Sequence, residues 1–480
     1  IGKNTKAIVC THASNVTGDG NDIAQIGTLC EKYNLYFILD ASQTAGTIEI
    51  DMEQNHISAI CFTGHKGLFG PQGTGGIALA DGVCVKPLLS GGSGVHSFER
   101  KHPMELPAAL EAGTLNGHGI AGLHAALDWI KKTGIAAIHE KEMALAEQFQ
   151  RGIETIPGIH IYGGEKRVAA IVSCNLADLD SAYVSDCLAE NYGIATRAGA
   201  HCAPQIHTHF GTEKQGMVRF SFSCFNTTEE VEKAVRAMQD IAMENRGKVT
   251  AYVGAGGKTS SIRKRAETLR AEGKRVLILT TTKMMVPQEQ EIFAAYEQTG
   301  QESVILDTGA VSKECRAAEK QLKERVQSVL DTYGCCVAGS LIPGTEKFGM
   351  LPEKLMEDLL YLADEIVIEA DGSAHMPVKA PAEHEPVLFP YMDEVVIVMG
   401  AHAIGKPLQE VCHRADYAKK ILKCDADKIV TATDIRVLAE QGYAIPIQKQ
   451  FPWMKISKVT GKDIKLCLTA EKKDKVRDKQ

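Results

Sequence analysis

The sequence predicts a soluble α/β protein made of successive sheet-and-helix domains, on three observations. Short apolar runs alternate with amphipathic helical stretches along the chain. Near residue 243 a helical pattern closes, and after a polar stretch the alternation restarts with a new apolar run and a glycine cluster. The length, 480 residues, exceeds what one core comfortably holds.

Taken in order, Ala7-Ile8-Val9-Cys10 and Tyr36-Phe37-Ile38-Leu39 read as strands. Between them lies a helical pattern with Ile23, Ile26, Leu29, Cys30 and Tyr33 on one face, so a parallel strand–helix–strand unit is expected. Ala59-Ile60-Cys61-Phe62 continues the series before a glycine-rich segment, 64–76. Helices are expected over 123–132 and 137–156, followed by a smaller alternating unit. That unit closes in a helix over 231–243, where Val231, Ala234, Val235, Met238 and Ile241 recur at helical spacing behind a Thr227/Glu230 capping-box pair. The polar stretch Glu244-Asn245-Arg246-Gly247-Lys248 then leads to apolar runs at 251–253, 276–279, 365–369 and 394–398. The expected boundaries are 1–135, 136–246 and 249–465, with a charged, fraying tail at 466–480.

Composition narrows the function. With 44% hydrophobic and 24% charged residues and no apolar run near membrane-spanning length, the chain reads as soluble, without a membrane partner. A formal net charge of -7 argues against nucleic acid, which wants a concentrated basic surface. The 14 cysteines lack paired metal spacing and no signal peptide precedes them, so they read as reduced thiols of a cytoplasmic protein. Cys202 with His207 and His209 is the nearest approach to a metal cluster.

Two constellations carry chemistry. In the first, Leu39-Asp40 ends a strand and Gln43 follows three residues later, which places both side chains at the carboxyl edge of a sheet. The strand at Cys61-Phe62 then delivers Thr63-Gly64-His65-Lys66-Gly67 into a glycine-rich loop, leaving a lysine able to form an imine. Taken singly, a strand-end aspartate is commonly a turn cap and a lysine between glycines a solvated loop residue. Together they resemble the fold-type I pyridoxal-phosphate (PLP) enzymes of the class V aminotransferase and cysteine desulfurase family. The resemblance implies a partial large domain plus a small C-terminal α/β domain, with Lys66 holding PLP and Asp40 keeping its pyridine nitrogen protonated so that the ring serves as an electron sink. It further implies Gln43 at the phenolic oxygen, Thr63 and His65 at the phosphate, and Asn15 of Ser14-Asn15-Val16-Thr17-Gly18 at the substrate and cofactor face. Glu111-Ala112-Gly113-Thr114-Leu115-Asn116 resembles the segment whose threonine, here Thr114, reaches the phosphate of a partner subunit, which implies a homodimer.

Arg197-Ala198-Gly199-Ala200-His201-Cys202-Ala203-Pro204 resembles the Arg-x-Gly-x-His-Cys loop of the SufS-like desulfurases. It implies that Cys202 accepts sulfur as a persulfide, a task for an exposed, activatable thiol. The bland reading of a free cysteine is a small buried apolar residue, but the flanking Gly199, His201 and Pro204 describe a loop. Arg219, in Val218-Arg219-Phe220-Ser221, matches the arginine that clamps the substrate carboxylate bidentately. The chain departs from the family at its start, Ile1-Gly2-Lys3. The phosphate-binding turn at a helix N-terminus and the ring-stacking residue that members carry upstream are absent, so a fragment is expected, with PLP held weakly or only once that segment is supplied.

In the second constellation, Gly254-Ala255-Gly256-Gly257-Lys258-Thr259 lies between a strand-like and a helical run, the context a phosphate-cradling loop requires, although Tyr252 stands where the standard P-loop has glycine. The alternative is a plain glycine turn before a helix. Thr280-Thr281-Thr282-Lys283, Ile368-Glu369-Ala370-Asp371-Gly372-Ser373-Ala374, Lys379-Ala380-Pro381-Ala382-Glu383-His384-Glu385-Pro386 and Gly400-Ala401-His402-Ala403-Ile404-Gly405-Lys406-Pro407 follow. Together they resemble the YqeC-type family, accessory proteins of selenium-dependent molybdenum hydroxylases. The resemblance implies a P-loop-like doubly wound α/β domain binding ATP or GTP, with Lys258 and Thr259 at phosphates and Mg2+, and Glu369 or Asp371 supporting the metal.

Joined, the halves point to a PLP-dependent desulfurase or selenocysteine lyase acting on L-cysteine or L-selenocysteine. Its cargo on Cys202 would pass to a chalcogen-accepting protein or a molybdenum hydroxylase. The rivals are a PLP-less scaffold attached to a nucleotide-dependent accessory domain, and an ordinary class V aminotransferase.

Overall fold

The computed structural model describes residues 1–96, 98–296 and 313–461. Its chain divides into two compact units, Ile1–Ile241 and a second that begins at Ala242. The expected tail at 466–480 lies outside the described residues.

In the first unit, β1 (Ala7–Thr11), α1 (Ile23–Tyr33), β2 (Tyr36–Asp40) and β3 (Ala59–Thr63) build the expected parallel arrangement, and β4 (Gly75–Leu79) adds antiparallel to β3. Phe37 and Leu39 of β2, Cys30 of α1 and Ile57 form its core. Of the predicted inner face of α1, Cys30 is buried and Ile23 and Ile26 pack on the core, but Leu29 and Tyr33 are 43% and 50% exposed. The cause is Gly27: a Cβ there would lie 2.0 Å from the Asn55 carbonyl oxygen, so the helix rests on its glycine and turns its neighbours outward. α2 (Gly117–Thr133) and α3 (Ile135–Ile153) follow; α3 stops three residues short of the expected end, and Ile156 sits in the turn beyond it.

The rest of this unit is a three-stranded antiparallel sheet, β5 (Ile159–Tyr162), β6 (Ile171–Leu176) and β7 (Val218–Ser221), in that order. It is accompanied by α4 (Ser181–Tyr192), α5 (Pro204–Phe210) and α6 (Thr228–Asn245). The capping box of α6 forms as read: Thr227 Oγ1 accepts the Glu230 N–H at 3.3 Å, and Glu230 Oε2 accepts the Thr227 N–H at 3.1 Å. Val231, Ala234, Met238 and Ile241 are buried along its inner face.

The second unit is organised by a nine-stranded sheet. Its strands are β8 (Lys248–Gly254), β9 (Val276–Thr280), β10 (Lys283–Met285), β11 (Phe293–Tyr296), β12 (Cys335–Leu341), β13 (Lys347–Gly349), β14 (Glu365–Glu369), β16 (Glu394–Gly400) and β18 (Lys455–Gly461); a separate parallel pair is β15 (Val378–Lys379) with β17 (Cys412–His413). The spatial run β12, β9, β14, β8, β16, β18 is parallel throughout. Alternate residues of each inner strand enter opposite cores. Val249, Ala251, Leu277 and Leu279 join one with Leu322, Val326 and Leu330 of α8 (Lys313–Tyr333), while Tyr252, Val276 and Ile278 join another with Ile262, Ala266 and Leu269 of α7 (Lys258–Ala271). Helices on both faces of a parallel sheet explain why its strands read as unbroken apolar runs.

Candidate functional sites

Asp40 ends β2 and Thr63 ends β3, so both lie on the carboxyl edge of the first sheet, where Thr11 of β1 is in register with Asp40. Asp40 is exposed, and its Oδ1 accepts the Ser42 N–H at 2.9 Å, which orders the turn carrying half-buried Gln43. Lys66 and His65 are exposed on a turn that closes through Gly70 N–H to Gly64 O at 2.7 Å and Phe69 N–H to Lys66 O at 2.8 Å. This turn lies directly on the Asp40 loop: a Cβ on Gly46, at φ +90°, would come within 2.3 Å of Gly67 O, and one on Gly67 within 2.7 Å of Ala45 O. Paired glycines thus bring the lysine turn against the aspartate turn.

A second group gathers around the Cys202 loop. Asn15, four residues beyond β1, donates its Nδ2 to His201 O at 2.7 Å, and its own carbonyl accepts Arg219 Nη1 at 2.9 Å. Arg197 and Arg219 exchange backbone hydrogen bonds, and His201 Nε2 meets Arg197 O at 3.0 Å. His201 and Cys202 both take left-handed backbone, φ 52° and 58°, which costs side-chain-bearing residues energy and collects at functional sites. Cys202 is exposed while His201 is buried, so the strained turn pushes the thiol outward. Burial lowers the His201 imidazole pKa, with its Arg197 hydrogen bond acting the other way and the Arg219 charge lowering it further. Burial likewise lowers that of Arg219, and Arg197 adds to the effect. Thr114 stands apart, exposed in the segment where Gly113 N–H meets Gly92 O.

Two atoms test whether a cofactor and an acidic substrate suit this unit. Thr63 Oγ1 and Arg219 Nε are buried with no hydrogen-bond partner in the described structure. Buried polar atoms are normally satisfied, so a vacant hydroxyl at the sheet edge and a vacant guanidinium nitrogen beside Asn15 fit ligands bearing phosphate and carboxylate oxygens. The lysine, aspartate, threonine and arginine present are those PLP and an amino acid would require. Around Cys202 the histidines do not join a metal cluster: His207 is buried with Nδ1 on Thr212 Oγ1 at 2.8 Å, and among the described residues no group of three or more His, Cys, Asp or Glu is placed to hold a metal ion.

In the second unit, four of the sequence segments meet at one sheet edge. Gly254 ends β8, Thr280 ends β9, Glu369 ends β14 and Gly400 ends β16, all parallel neighbours at their carboxyl ends. Gly254, Gly256 and Gly257 have φ 93°, 80° and 126° and lead into α7, whose first residue is Lys258. Backbone crowding demands two of these glycines, since a Cβ on Gly254 would lie 2.2 Å from Val398 O and one on Gly256 2.3 Å from Pro377 O. Thr259 donates its hydroxyl to Glu369 Oε2 at 3.2 Å; burial raises the Glu369 carboxyl pKa, against the Lys258 charge and the Thr259 hydrogen bond.

Asp371 is fully buried. Both its oxygens accept the Gly254 N–H at 3.1 Å; Oδ1 also meets Lys258 Nζ at 3.1 Å, and Oδ2 meets Tyr443 Oη at 2.9 Å and Lys379 Nζ at 3.4 Å. Lys258 Nζ also donates to Gly254 O at 2.6 Å. Lys379, itself fully buried, reaches Gly372 O at 2.5 Å and Glu385 Oε2 at 2.7 Å, and Glu385 Oε1 binds Arg414 at 3.0 Å. Burial alone would raise the Glu385 carboxyl pKa, but Lys379 and Arg414 hold it below its ordinary value. Sequence reasoning missed Lys379 and Tyr443 as site residues. Lys379 carried a faint signal, a lysine between Val378 and Ala380; Tyr443 lies in a π-helical segment, Leu438–Ala444, a conformation common at functional positions.

Comparison with known proteins agrees with this division. Residues 1–234 match the family described as aminotransferase class-V, and residues 250–416 the family described as YqeC protein. A protein of Methanothermobacter thermautotrophicus named "Probable cysteine desulfurase" is 33% identical over 247 residues, 50% of this chain and 62% of its own length. A cysteine desulfurase of Shigella flexneri is 31% identical over 242 residues, 49% of this chain and 58% of its own. Among solved structures, the apo cysteine desulfurase of Thermococcus onnurineus NA1 matches at TM-score 0.47 and 30% identity, covering 50% of this chain and 61% of that one. The chain therefore spans about three-fifths of the length of these curated relatives. A segment similar to aminotransferase class-V, residues 1–234, is thus followed by one similar to YqeC protein, residues 250–416.

Proposed function

We propose that the first unit is a PLP-dependent catalyst of the desulfurase type, in which Cys202 takes sulfur from L-cysteine or selenium from L-selenocysteine. The observation that carries this reading is the exposed, left-handed Cys202 turn tied through Asn15 to Arg219. Arg219, with Nε vacant, clamps the substrate carboxylate, and Asn15 fixes that clamp relative to the thiol loop. Lys66 would hold PLP, with Asp40 at the pyridine nitrogen, Gln43 at the phenolic oxygen and Thr63 with His65 at the phosphate; Thr114 would serve a partner subunit's phosphate in a homodimer. Bound there, PLP supplies an electron sink. The Cys202 thiolate attacks the substrate sulfur: an S–S bond forms on Cys202, the substrate Cβ–S bond breaks with its electron pair passing to the carbon skeleton, Cβ takes up a proton, and the skeleton leaves as alanine. An aminotransferase needs no thiol at this place.

The second unit, on this reading, is a P-loop-like domain that binds ATP or GTP with Mg2+ at residues 254–259. Thr259 and Glu369 are the metal-side pair, because the Asp371 oxygens are already engaged by Lys258, Lys379, Tyr443 and Gly254. The domain boundaries would fall at 1–135, 136–246 and 249–465. The fusion suggests a cytoplasmic protein that passes its cargo to a chalcogen-accepting protein or a molybdenum hydroxylase during selenium cofactor maturation.

The test is turnover of L-cysteine and L-selenocysteine to alanine by this chain, with chalcogen trapped on the protein. Cys202→Ala should abolish trapping and cut turnover by two orders of magnitude or so; unchanged turnover removes Cys202 from the reaction. Purified protein should be yellow and lose its colour on Lys66→Ala. Colourless protein that binds nucleotide would instead support the PLP-less scaffold.

A further inference from the structure

Lys258, the lysine of the glycine loop, points back into its own loop. Its ammonium is bound by Gly254 O at 2.6 Å and Asp371 Oδ1 at 3.1 Å, and the residue is 4% exposed. A phosphate arriving at residues 254–259 would therefore compete with Asp371 for this ammonium. Letting it go would leave a fully buried carboxylate short of a counter-charge, which is strongly unfavourable unless another cation remains.

Another cation does remain. Lys379 sits on the far oxygen of Asp371, is fully buried, and is held by Gly372 O and Glu385; Tyr443 donates to the same oxygen. Lys379 comes from β15, whose backbone pairs with β17 rather than with the glycine loop, although that loop packs against the preceding Pro377 through Gly256. We propose that Lys379 is a positioning residue for Lys258: by neutralising Asp371 from behind, it makes the Lys258–Asp371 contact exchangeable, so that the ammonium can transfer to a phosphate while Asp371 goes on holding the Gly254 N–H and the loop's shape. Tyr443 assists by supplying a second donor that stays in place. This rests on reading residues 254–259 as a phosphate-binding loop.

The experiment is titration of the full chain with Mg2+-ATP and Mg2+-GTP by calorimetry, each variant first checked for cooperative melting. Lys379→Met should weaken nucleotide binding by about tenfold or more, because Lys258 becomes the sole cation at Asp371. Tyr443→Phe, which removes only a hydroxyl, should weaken it a fewfold. Lys379→Arg should retain most of the affinity. The decisive variant is Lys379→Met with Asp371→Asn: with the trapping charge gone, affinity should recover relative to Lys379→Met alone. A merely structural lysine would show no such recovery. Equal affinity in the unaltered protein, Lys379→Met and Tyr443→Phe overturns the inference and leaves the nucleotide reading standing; failure of the unaltered protein to bind either nucleotide overturns both. If Lys379→Met does not fold, Tyr443→Phe decides: unchanged affinity refutes the proposal.

Discussion

In the first unit, polar atoms are left without partners: Thr63 Oγ1 at the sheet edge and Arg219 Nε beside Asn15 are buried and unbonded, and the Cys202 thiol stands exposed on strained backbone. Around Lys258 the opposite holds: two buried lysines, a buried aspartate, a glutamate, an arginine and a tyrosine pair with one another in one network. The first arrangement leaves hydrogen-bonding capacity for a ligand; the second consumes its charges internally and must exchange one to bind anything. Substitutions should separate the two. Those at the first site should change chemistry with little effect on folding, and those at the second should change both.

The largest expected effect is at Asp371. Asp371→Ala leaves two buried ammonium groups facing each other without their shared carboxylate, and should cost about 3–5 kcal/mol of stability. Urea unfolding measures it, read from a probe in the second unit. Arg219→Ala, by contrast, removes a hydrogen bond to Asn15 O and should cost about 1 kcal/mol while abolishing turnover of cysteine. Comparable losses of stability in the two variants would erase the distinction.

A smaller effect concerns a buried carboxyl that forms no ion pair among the described residues. Glu142 of α3 is 7% exposed and its Oε1 accepts the Cys224 N–H at 3.0 Å; burial pushes its pKa up from 4.5 to about 7, with that hydrogen bond acting the other way. Because the folded pKa lies above the unfolded one, the folded state keeps the proton between about pH 4.5 and 7 while the unfolded chain has released it. Stability from this group is thus full at low pH and falls as pH rises through about 7, by roughly 3 kcal/mol in all. Glu142→Gln keeps an acceptor for Cys224 and removes the proton. Unfolding midpoints at about pH 5 and pH 8 should differ less in the Gln variant than in the unaltered protein; equal differences would show that Glu142 does not titrate there.

How much of this was visible beforehand follows the range of the forces. The apolar runs at 7–10, 36–39, 59–62, 251–253, 276–279, 365–369 and 394–398 all became strands, and the Thr227/Glu230 pair capped its helix, since each depends on neighbours in sequence. Leu29 and Tyr33 were misassigned because a single close approach at Gly27, against a carbonyl 28 positions along, turned the helix. The placement of Asp40 and Thr63 at strand ends, of Lys66 on a turn and of Cys202 in a loop was legible from short motifs. The network was only half visible: Lys379 and Glu385 lie in one motif segment, but their joining to Asp371, Arg414 and Tyr443 was not legible, because Arg414 and Tyr443 come from segments with no fixed spacing to it.

The smallest effect is also the sharpest test of the unpartnered atoms. Thr63 ends β3 with its hydroxyl buried and unbonded within the fold, so without a ligand that oxygen contributes nothing and carries a desolvation cost. Valine has nearly the same shape and a strand-favouring branched Cβ. Thr63→Val should therefore leave unliganded stability unchanged or raise it by up to about 1 kcal/mol. If the hydroxyl is kept for a phosphate oxygen, the same variant should lose part of the extra stability that added PLP confers on the unaltered protein, because a ligand that binds only the folded state stabilises it by an amount that grows with the logarithm of its affinity. Melting with and without PLP measures both quantities on one sample. A variant destabilised without ligand would mean that the hydroxyl has a partner within the fold; a variant stabilised by PLP as fully as the unaltered protein would mean that Thr63 does not touch the cofactor.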